Sequence, residues 1–300
     1  MNVFVLIITY NGKQWYDRCF ESLRASKLPV QAVVIDNASS DGTVEYIKQN
    51  YPEIVLIESD KNLGFGQANN KGMRYALDRG ADYVFLLNQD AWIEPDTLGE
   101  LVRIHQAHTE YGILSPIHMN VEKNTIEKLL LNRIADYKTT DPQLIADLYF
   151  DRLSDVYDTN YVNAAAWLLP RKTLEIIGGF DPFFFHYGED DNYLNRVFYH
   201  QFKVGICPKL RIVHDANGDR KLYDEHEEEI LLMIDYTNIN SDKLPHREMS
   251  IALWKVITST LKFRTLRART CWRQFNFIRK NQKRIQYSIQ SNKKAGQTWL

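Results

Sequence analysis

The stretch that decides the fold is YVFLLNQD, residues 83–90, where an apolar run ends on Asn88, Gln89 and Asp90. A short continuous apolar run bounded by polar residues is typical of a strand buried on both faces. Similar runs occupy residues 3–9 and 31–37, and segments with helical spacing lie between them. Buried strands that alternate with helices predict an α/β fold, with a Rossmann-like, mostly parallel sheet flanked by helices.

Length and composition limit the class of protein. A chain of 300 residues with 44% hydrophobic content can bury a large core. Its three cysteines lie far apart and form no CxxC pair, which argues against a zinc–cysteine site or a disulfide framework. The apolar N-terminus lacks a basic segment and a cleavage site, and no run of about 18 apolar residues occurs. We therefore expect a cytoplasmic protein.

The charge is distributed unevenly along the chain. The first 248 residues carry 25 basic and 38 acidic side chains, whereas the remainder carries twelve basic and no acidic ones. Residues 250–290 predict one or two basic helices that also carry aromatic side chains. Such helices can lie on the anionic inner face of the cell membrane, or they can pack their aromatic stripe on the acidic body. We expect no nucleic-acid partner, because nothing else in the sequence supports one.

Polar side chains follow three of the predicted strands where each strand ends. They are Thr9, Tyr10 and Asn11 after the first strand, Asp36 and Asn37 after the second, and Asn88, Gln89 and Asp90 after the fourth. The carboxyl ends of parallel strands are where ligands bind in open α/β sheets. The alternative is that these residues only form turns and helix caps.

Two further segments could contribute chemistry. NLGFGQANNKG, residues 62–72, is a glycine-containing loop that enters a helix, where backbone N–H groups can meet an anion. It is an incomplete dinucleotide fingerprint and is not interpreted as one. GGFDPFFFHYGEDD, residues 178–191, places three carboxylates after an aromatic run. These carboxylates either interact with the helix dipole in the first turn of a helix, or they include a desolvated general base.

Taken in order, VLIITYNG, VVIDNASSDGT, NLGFGQANNKG, FLLNQD, GGFDPFFFHYGEDDNYLNR and VH resemble family 2 glycosyltransferases. These are inverting enzymes with the GT-A fold, and the motifs are similar to those of the bacterial rhamnosyltransferase-like branch. The resemblance covers about residues 3–120 and 160–215. It implies transfer of a sugar from a nucleotide-diphosphate sugar to a hydroxyl of a glycan or a lipid-linked acceptor.

The resemblance also implies roles for individual residues. Asp90 would bind Mg²⁺ or Mn²⁺ held by the donor diphosphate, with His214 as a further ligand. One carboxylate suffices if phosphate and water supply the remaining oxygen ligands. Asp190 would be the general base, and Glu189 would orient it or touch the sugar.

The resemblance places the nucleotide, expected to be UDP- or dTDP-linked, on the polar strand ends and the glycine loop. The expected contacts are Thr9, Tyr10, Asn11, Asp36, Asn37, Asn62, Gly64, Asn69, Asn88 and Gln89. 

We expect a GT-A domain over residues 1–245, divided into a nucleotide-binding half (1–117) and an acceptor and base half (118–245), followed by a basic helical tail (246–300). Residues 118–160 show no readable pattern, and acceptor specificity is expected there. A catalytically silent nucleotide-sugar-binding subunit of a glycan-assembly complex is the main alternative. A nucleotidyltransferase is a more distant one.

Overall fold

The computed structural model describes residues 1–136, 138–216, 221–243, 245–262 and 264–300. The strands are β1 Val3–Thr9, β2 Gln31–Asp36, β3 Val55–Glu58, β4 Tyr83–Asn88, β5 Ala91–Ile93, β6 Tyr111–Met119, β7 Tyr157–Asp158, β8 Ala166–Pro170 and β9 Lys203–His214. The helices are α1 Tyr16–Arg24, α2 Thr43–Asn50, α3 Gly64–Asp78, α4 Thr97–Ala107, α5 Lys128–Ile134, α6 Gln143–Tyr149, α7 Arg171–Ile177, α8 Glu189–Tyr199, α9 Lys221–Thr237, α10 Pro245–Leu261 and α11 Thr265–Asn292.

The nine strands of the described residues form one sheet in the order β3-β2-β1-β4-β8-β6-β9-β5, with β7 paired to β9. β1 lies parallel to β2 and β4, and β6 lies parallel to β9. The strand β8 runs antiparallel between β4 and β6, and β5 runs antiparallel to β9. Most paired residues therefore belong to parallel ladders, which confirms the predicted α/β class with a mostly parallel sheet.

Helices cover the sheet on both faces, and β1 is apolar at every position before its last residue, Thr9. Phe4 and Leu6 of β1 pack with Met73 of α3 on one face. Val5 of β1 packs with Phe20 of α1 on the other face. A continuous apolar run is what a strand needs when helices lie on both of its sides.

The parallel register sets the position of the polar strand ends. Thr9 lies opposite Asp36 across the β1–β2 ladder, and Ile8 lies opposite Asn88 across the β1–β4 ladder. The polar residues that follow these strands therefore meet at one edge of the sheet.

Three segments add detail that the sequence patterns did not predict. The segment between β1 and β2 begins with a short 3-10 turn, Lys13–Trp15, before α1. Residues 161–165 belong to no strand, and β8 begins at Ala166. Residues 118–160, which showed no pattern, contain the end of β6, the helices α5 and α6, and β7.

The basic tail packs on the rest of the chain. Phe277 and Ile278 of α11 form a buried cluster with Phe183 and Phe184. The buried Asp181 carboxylate accepts hydrogen bonds from Ser288 Oγ at 2.5 Å and from Asn292 Nδ2 at 2.8 Å. Helix α11 is thereby fixed behind the loop that leads into α8. Among the described residues, no helix combines the length and the apolar character that crossing a membrane requires.

Candidate active site

The first part of the candidate site lies between the ends of β1 and β2. Asp36 is buried, and its carboxylate accepts hydrogen bonds from Thr9 Oγ1 at 3.0 Å and from the Ser39 backbone N–H at 2.9 Å. The Ser39 hydroxyl donates a further hydrogen bond at 2.5 Å. The structure thus brings the predicted residues Thr9 and Asp36 together and orients the carboxylate through its own loop.

The loop after β1 is fixed by the side chain of Gln89. Gln89 Oε1 accepts from the Tyr10 N–H at 2.9 Å, and Gln89 Nε2 donates to the Tyr10 carbonyl at 3.3 Å. Asn11 follows with a left-handed φ of 48°, and its side-chain oxygen accepts from the Ser40 N–H at 2.8 Å. Tyr10 and Asn11 remain exposed at the edge of the sheet, where a ligand can reach them.

The glycine loop before α3 is held by asparagine side chains. Asn37 accepts from the Leu63 N–H and donates to the Gly64 carbonyl, both at 3.2 Å. Asn62 Oδ1 accepts from the Gly64 N–H at 2.8 Å, and Asn69 Nδ2 donates to the Phe65 carbonyl at 3.1 Å. The amides of Asn37 and Asn69 are buried and bonded within the protein. Their immediate effect is to shape this loop, and direct contact with a nucleotide stays a prediction.

Gly64 is required by a close backbone contact. Its φ is +77°, and a Cβ atom there would lie 1.9 Å from the carbonyl oxygen of Phe185. Gly66 similarly packs against Phe180 and Glu189. The loop before α3 and the loop before α8 therefore touch, which brings the two halves of the candidate site together.

The residues predicted to bind metal are neighbours at the ends of β4 and β9. Ala91 lies opposite His214 in the β5–β9 ladder, and His214 Nε2 lies 3.5 Å from Asp90 Oδ1. Asn88 Nδ2 lies 3.4 Å from the same ring nitrogen. Burial lowers the pKa of His214, but the Asp90 carboxylate raises it, aided by Glu127 and Asp215, and the net effect is an increase.

This pair fits a divalent ion that brings further ligands with it. The Asp90 side chain is 17% exposed, so substrate oxygens can approach the carboxylate. A carboxylate oxygen and an imidazole nitrogen are ligands that Mn²⁺ accepts, and phosphate and water can complete the coordination.

The carboxylates Glu189, Asp190 and Asp191 form the first turn of α8, directly after Gly188 with φ +86°. Asp190 Oδ2 accepts a hydrogen bond from the hydroxyl of Tyr161 at 3.1 Å, and Asp190 Oδ1 accepts from the Asp191 N–H at 2.9 Å. Glu189 is buried, and its Oε2 has no hydrogen-bond partner among the described residues.

Burial raises the pKa values of these three carboxylates. Desolvation raises the pKa of Asp190 above its ordinary value. Desolvation, together with the charge of Asp190, raises the pKa of Glu189 to about 8 and that of Asp191 to about 7. A carboxylate whose pKa is raised towards neutrality is a stronger base than an ordinary surface carboxylate.

Two residues of the carboxylate site were not predicted from the sequence. Tyr161 donates to Asp190, and the Arg133 guanidinium lies 4.3 Å from the centre of the Tyr161 ring. Arg133 belongs to α5, in the stretch that carried no readable pattern. His118 and Glu127, buried close to His214, were missed for the same reason.

The geometry agrees with known structures. A mannosyltransferase, PcManGT from Pyrobaculum calidifontis, solved in complex with GDP-Man and Mn²⁺, superposes with a TM-score of 0.59 at 20% identity. The match covers 81% of this chain and 65% of that chain. The fold is therefore the GT-A fold that the motifs predicted.

Sequence comparison then identifies the family. Residues 4–161, more than half of the chain, match the model of glycosyl transferase family 2, and the chain belongs to that family. It is 23% identical to a low-salt glycan biosynthesis hexosyltransferase, Agl10, of Haloferax volcanii, over 73% of this chain and 69% of the relative. It is also 23% identical to an N-acetylglucosaminyl-diphospho-decaprenol L-rhamnosyltransferase of Mycobacterium tuberculosis, over 70% of this chain and 75% of the relative.

The buried Glu189 should make stability depend on pH. Its folded pKa of about 8 lies above its ordinary value of 4.5, so the folded state binds more protons than the unfolded state between these values. The contribution of Glu189 to stability is therefore complete below about pH 4.5 and is lost as the pH rises through about 8. We expect Glu189→Gln to raise the melting temperature at pH 8, by about 2–4 °C for each kcal/mol relieved, and to have little effect at pH 5.

Circular dichroism melts at the two pH values measure this difference. Glu45→Gln, on the exposed side of α2, is the matched control and should change neither melting temperature. A Glu189→Gln chain that melts below the parent at pH 8 would show that the buried carboxylate is stabilising, contrary to this expectation.

Proposed function

We propose that this protein is an inverting glycosyltransferase that transfers a sugar from a nucleotide-diphosphate sugar to a hydroxyl of a glycan or a lipid-linked acceptor. The observation that carries the proposal is the position of Asp190. It is a desolvated carboxylate, oriented by Tyr161, at the start of a helix whose preceding loop touches the glycine loop at Gly64. Family membership supports the same reaction class.

The donor would lie along the polar edge of the sheet. Tyr10 and Asn11 are exposed there. The Asp36 carboxylate, which is bonded to Thr9 at the end of β1, would accept an N–H from a pyrimidine base. A UDP- or dTDP-linked sugar remains our expectation for the donor. The related structure of PcManGT holds GDP-Man, which supports a nucleotide sugar as the class of donor.

Asp90 and His214 would bind the divalent metal ion, Mg²⁺ or Mn²⁺. When bound, such an ion stabilises the negative charge of a departing diphosphate as a Lewis acid. Asn88, whose amide lies 3.4 Å from His214 Nε2, would help to keep that imidazole beside Asp90. The Mn²⁺ in the PcManGT complex supports this assignment.

Asp190 would remove the proton from the acceptor hydroxyl as that oxygen attacks the anomeric carbon. Each carboxylate oxygen accepts one hydrogen bond within the protein, which orients the group and leaves a lone pair for the acceptor proton. A base and a diphosphate on opposite faces of the sugar give inversion in a single displacement. Glu189, protonated near neutral pH, would leave Asp190 as the charged member of the buried pair.

The base assignment predicts the result of replacing Asp190 with Asn. The amide retains the shape and can keep a hydrogen bond with the Tyr161 hydroxyl, which can donate or accept, but the amide cannot take a proton. We expect sugar transfer to fall by about 10²–10⁴-fold while donor affinity changes little. Release of nucleoside diphosphate from a panel of nucleotide sugars, with a membrane glycolipid extract as the acceptor source, measures transfer.

Asp191→Asn is the matched control, because the neighbouring carboxylate has no assigned role in proton removal. Equal transfer by the parent and Asp190→Asn would refute the role of this base. Donor binding without any transfer in either chain would instead favour the silent nucleotide-sugar-binding subunit.

The metal assignment predicts how nucleotides stabilise the chain. UDP, dTDP or GDP at 100 times its dissociation constant should stabilise the folded state by about 2.7 kcal/mol when Mn²⁺ is present. EDTA or Asp90→Ala should remove most of that gain, because the diphosphate would lose the ion that links it to the protein. Thermal unfolding with each nucleotide, with and without Mn²⁺, measures the effect.

Asp96→Ala is the control, since Asp96 is exposed and pairs with Lys27 on the surface. The nucleotide could raise the melting temperature equally with EDTA and in Asp90→Ala. That result would support nucleotide binding and show that the metal assignment is wrong.

We also infer a peripheral membrane contact through the connection between α10 and α11. Large apolar side chains are exposed on both sides of this connection: Trp254, Ile257 and Leu261 on α10 and Leu266 on α11. Lysine and arginine residues lie among them, and the chain carries no acidic residue after Glu248. Exposed apolar groups beside positive charge fit the surface of an anionic bilayer.

Flotation with liposomes tests this contact on the full-length chain. We expect the double variant Leu261→Ser and Leu266→Ser to lose most of its binding to phosphatidylglycerol vesicles. Leu231→Ser, an exposed leucine on α9, is the control and should bind as the parent does. Equal recovery of the double variant and the parent would contradict a membrane role for this surface.

A further inference from the structure

A second cluster of metal-ligand side chains lies behind the proposed donor site. It consists of His118 near the end of β6, Glu127 after the following turn, and His214 at the end of β9. The Glu127 N–H donates to the His118 carbonyl at 2.7 Å, and Met119 bridges to Ile126, so the turn holds Glu127 beside β6. The parallel pairing of β6 with β9 brings His214 to the same place.

The three side chains face one another in a buried space. His118 is fully buried, and Glu127 and His214 are each 8% exposed. One potential ligand atom from each residue lies within 4.8 Å of the other two. The two imidazole rings are nearly perpendicular, with their centres 5.9 Å apart.

Both histidines leave a ring nitrogen unsatisfied. Nδ1 of His118 and Nδ1 of His214 are buried and have no hydrogen-bond partner among the described residues. Their other nitrogens are engaged, that of His118 with Ser115 Oγ at 3.2 Å and that of His214 with Asn88 and Asp90. Buried polar atoms without partners are rare because they lose hydration without compensation. Two such nitrogens on histidines that are clustered with one carboxylate point to a missing group among the three side chains.

We propose that His118, Glu127 and His214 bind a transition-metal ion of the Zn²⁺ type, at a site distinct from the donor's Mg²⁺ or Mn²⁺. Two imidazoles and one carboxylate are a common ligand set for zinc, which completes its coordination with water. Nitrogen ligands favour Zn²⁺ over Mn²⁺, whereas oxygen ligands and phosphate suit Mg²⁺ and Mn²⁺. The two sites therefore differ in the ion that they prefer.

The ion requires a modest contraction of the cluster. Ligand atoms in a tetrahedral zinc site lie about 3.4 Å apart, as bond lengths of about 2.0–2.1 Å dictate. The atoms here are separated by up to 4.8 Å, so the distances between them need to shorten by up to about 1.4 Å.

Occupation of this site would change what His214 can do at the donor site. A neutral imidazole has one N–H group and one free nitrogen. When an ion takes Nδ1, the proton resides on Nε2 and points to Asp90, so Nε2 no longer offers a lone pair to the donor's metal ion. Zn²⁺ should then weaken Mn²⁺-dependent nucleotide binding. This consequence, unlike the site itself, rests on the proposed function.

The site is tested first without any nucleotide. Full-length protein freed of metal is titrated with Zn²⁺ by calorimetry and in competition with a chromophoric chelator. We expect one tightly bound Zn²⁺ per chain, and at least tenfold weaker binding in His118→Gln and in Glu127→Gln. His108→Gln, an exposed histidine beside Glu110, is the control and should bind as the parent does.

Cobalt provides a second measurement that does not depend on affinity. Co²⁺ in the parent should give the intense visible absorption of a four-coordinate site, and both variants should lose it while keeping the parent's circular dichroism spectrum. If the parent binds Zn²⁺ no more tightly than Glu127→Gln and Co²⁺ gives no such spectrum, the proposal is wrong.

Competition separates this proposal from the proposed function. Zn²⁺ should reduce the Mn²⁺-dependent thermal shift given by the nucleotide in the parent, and should reduce it less in His118→Gln. Tight Zn²⁺ binding without an effect on that shift would support the new site and refute the sharing of His214. If no nucleotide changes the melting temperature, the proposed donor site is wrong. The zinc titration then tests the new metal site independently.

Discussion

The two hydrogen bonds between the side chain of Asn70 and the backbone of Phe180 join the halves of the candidate site. Asn70 Nδ2 donates to the Phe180 carbonyl at 2.8 Å, and Asn70 Oδ1 accepts from the Phe180 N–H at 2.7 Å. Both are buried, so their loss would leave backbone groups unsatisfied away from water. Because Asn70 lies on α3 and Phe180 lies in the loop before α8, this pair sets how closely Gly64 approaches Phe185. The distance between nucleotide and base would follow from that contact.

The parts of the fold that the sequence predicted are those specified locally. The runs that form β1, β2 and β4 are apolar in their interiors. Their polar ends were recognised as one edge because parallel strands end together. The strand β6 was missed because its buried residues include Ser115 and His118, which are polar and break the pattern. The two side chains hydrogen-bond to each other at 3.2 Å. Their burial depends on tertiary packing, which leaves no periodic signal in the sequence.

The candidate site shows the same division. Asp90, Asp190 and His214 could be singled out because each ends a strand or begins a helix within a recognisable motif. Tyr161 and Arg133 could not, since their relation to Asp190 exists only after residues 118–160 have folded around α8. Asn37 and Asn69 were predicted to contact the nucleotide, and in the structure their amides bond the backbone of the glycine loop. An asparagine near a ligand-binding loop can serve that loop from beneath, by bonding its backbone, without facing the ligand.

The carboxylates at the start of α8 require support from several directions. The helix N-terminus favours negative charge there, but the burial that raises the pKa of Asp190 opposes it. The loop that carries them is fixed on one side by α3 and on the other by α11, through the hydrogen bonds of Asp181 with Ser288 and Asn292. The helix α11, which steadies this loop, also forms a hairpin with α10, and the exposed apolar side chains Trp254, Ile257, Leu261 and Leu266 lie on that hairpin. A chain that rests on a bilayer through that hairpin would hold Asp190 in a fixed orientation to the surface. A lipid-linked hydroxyl would then approach the base from a limited range of directions, so packing of the tail and membrane contact would serve the same reaction.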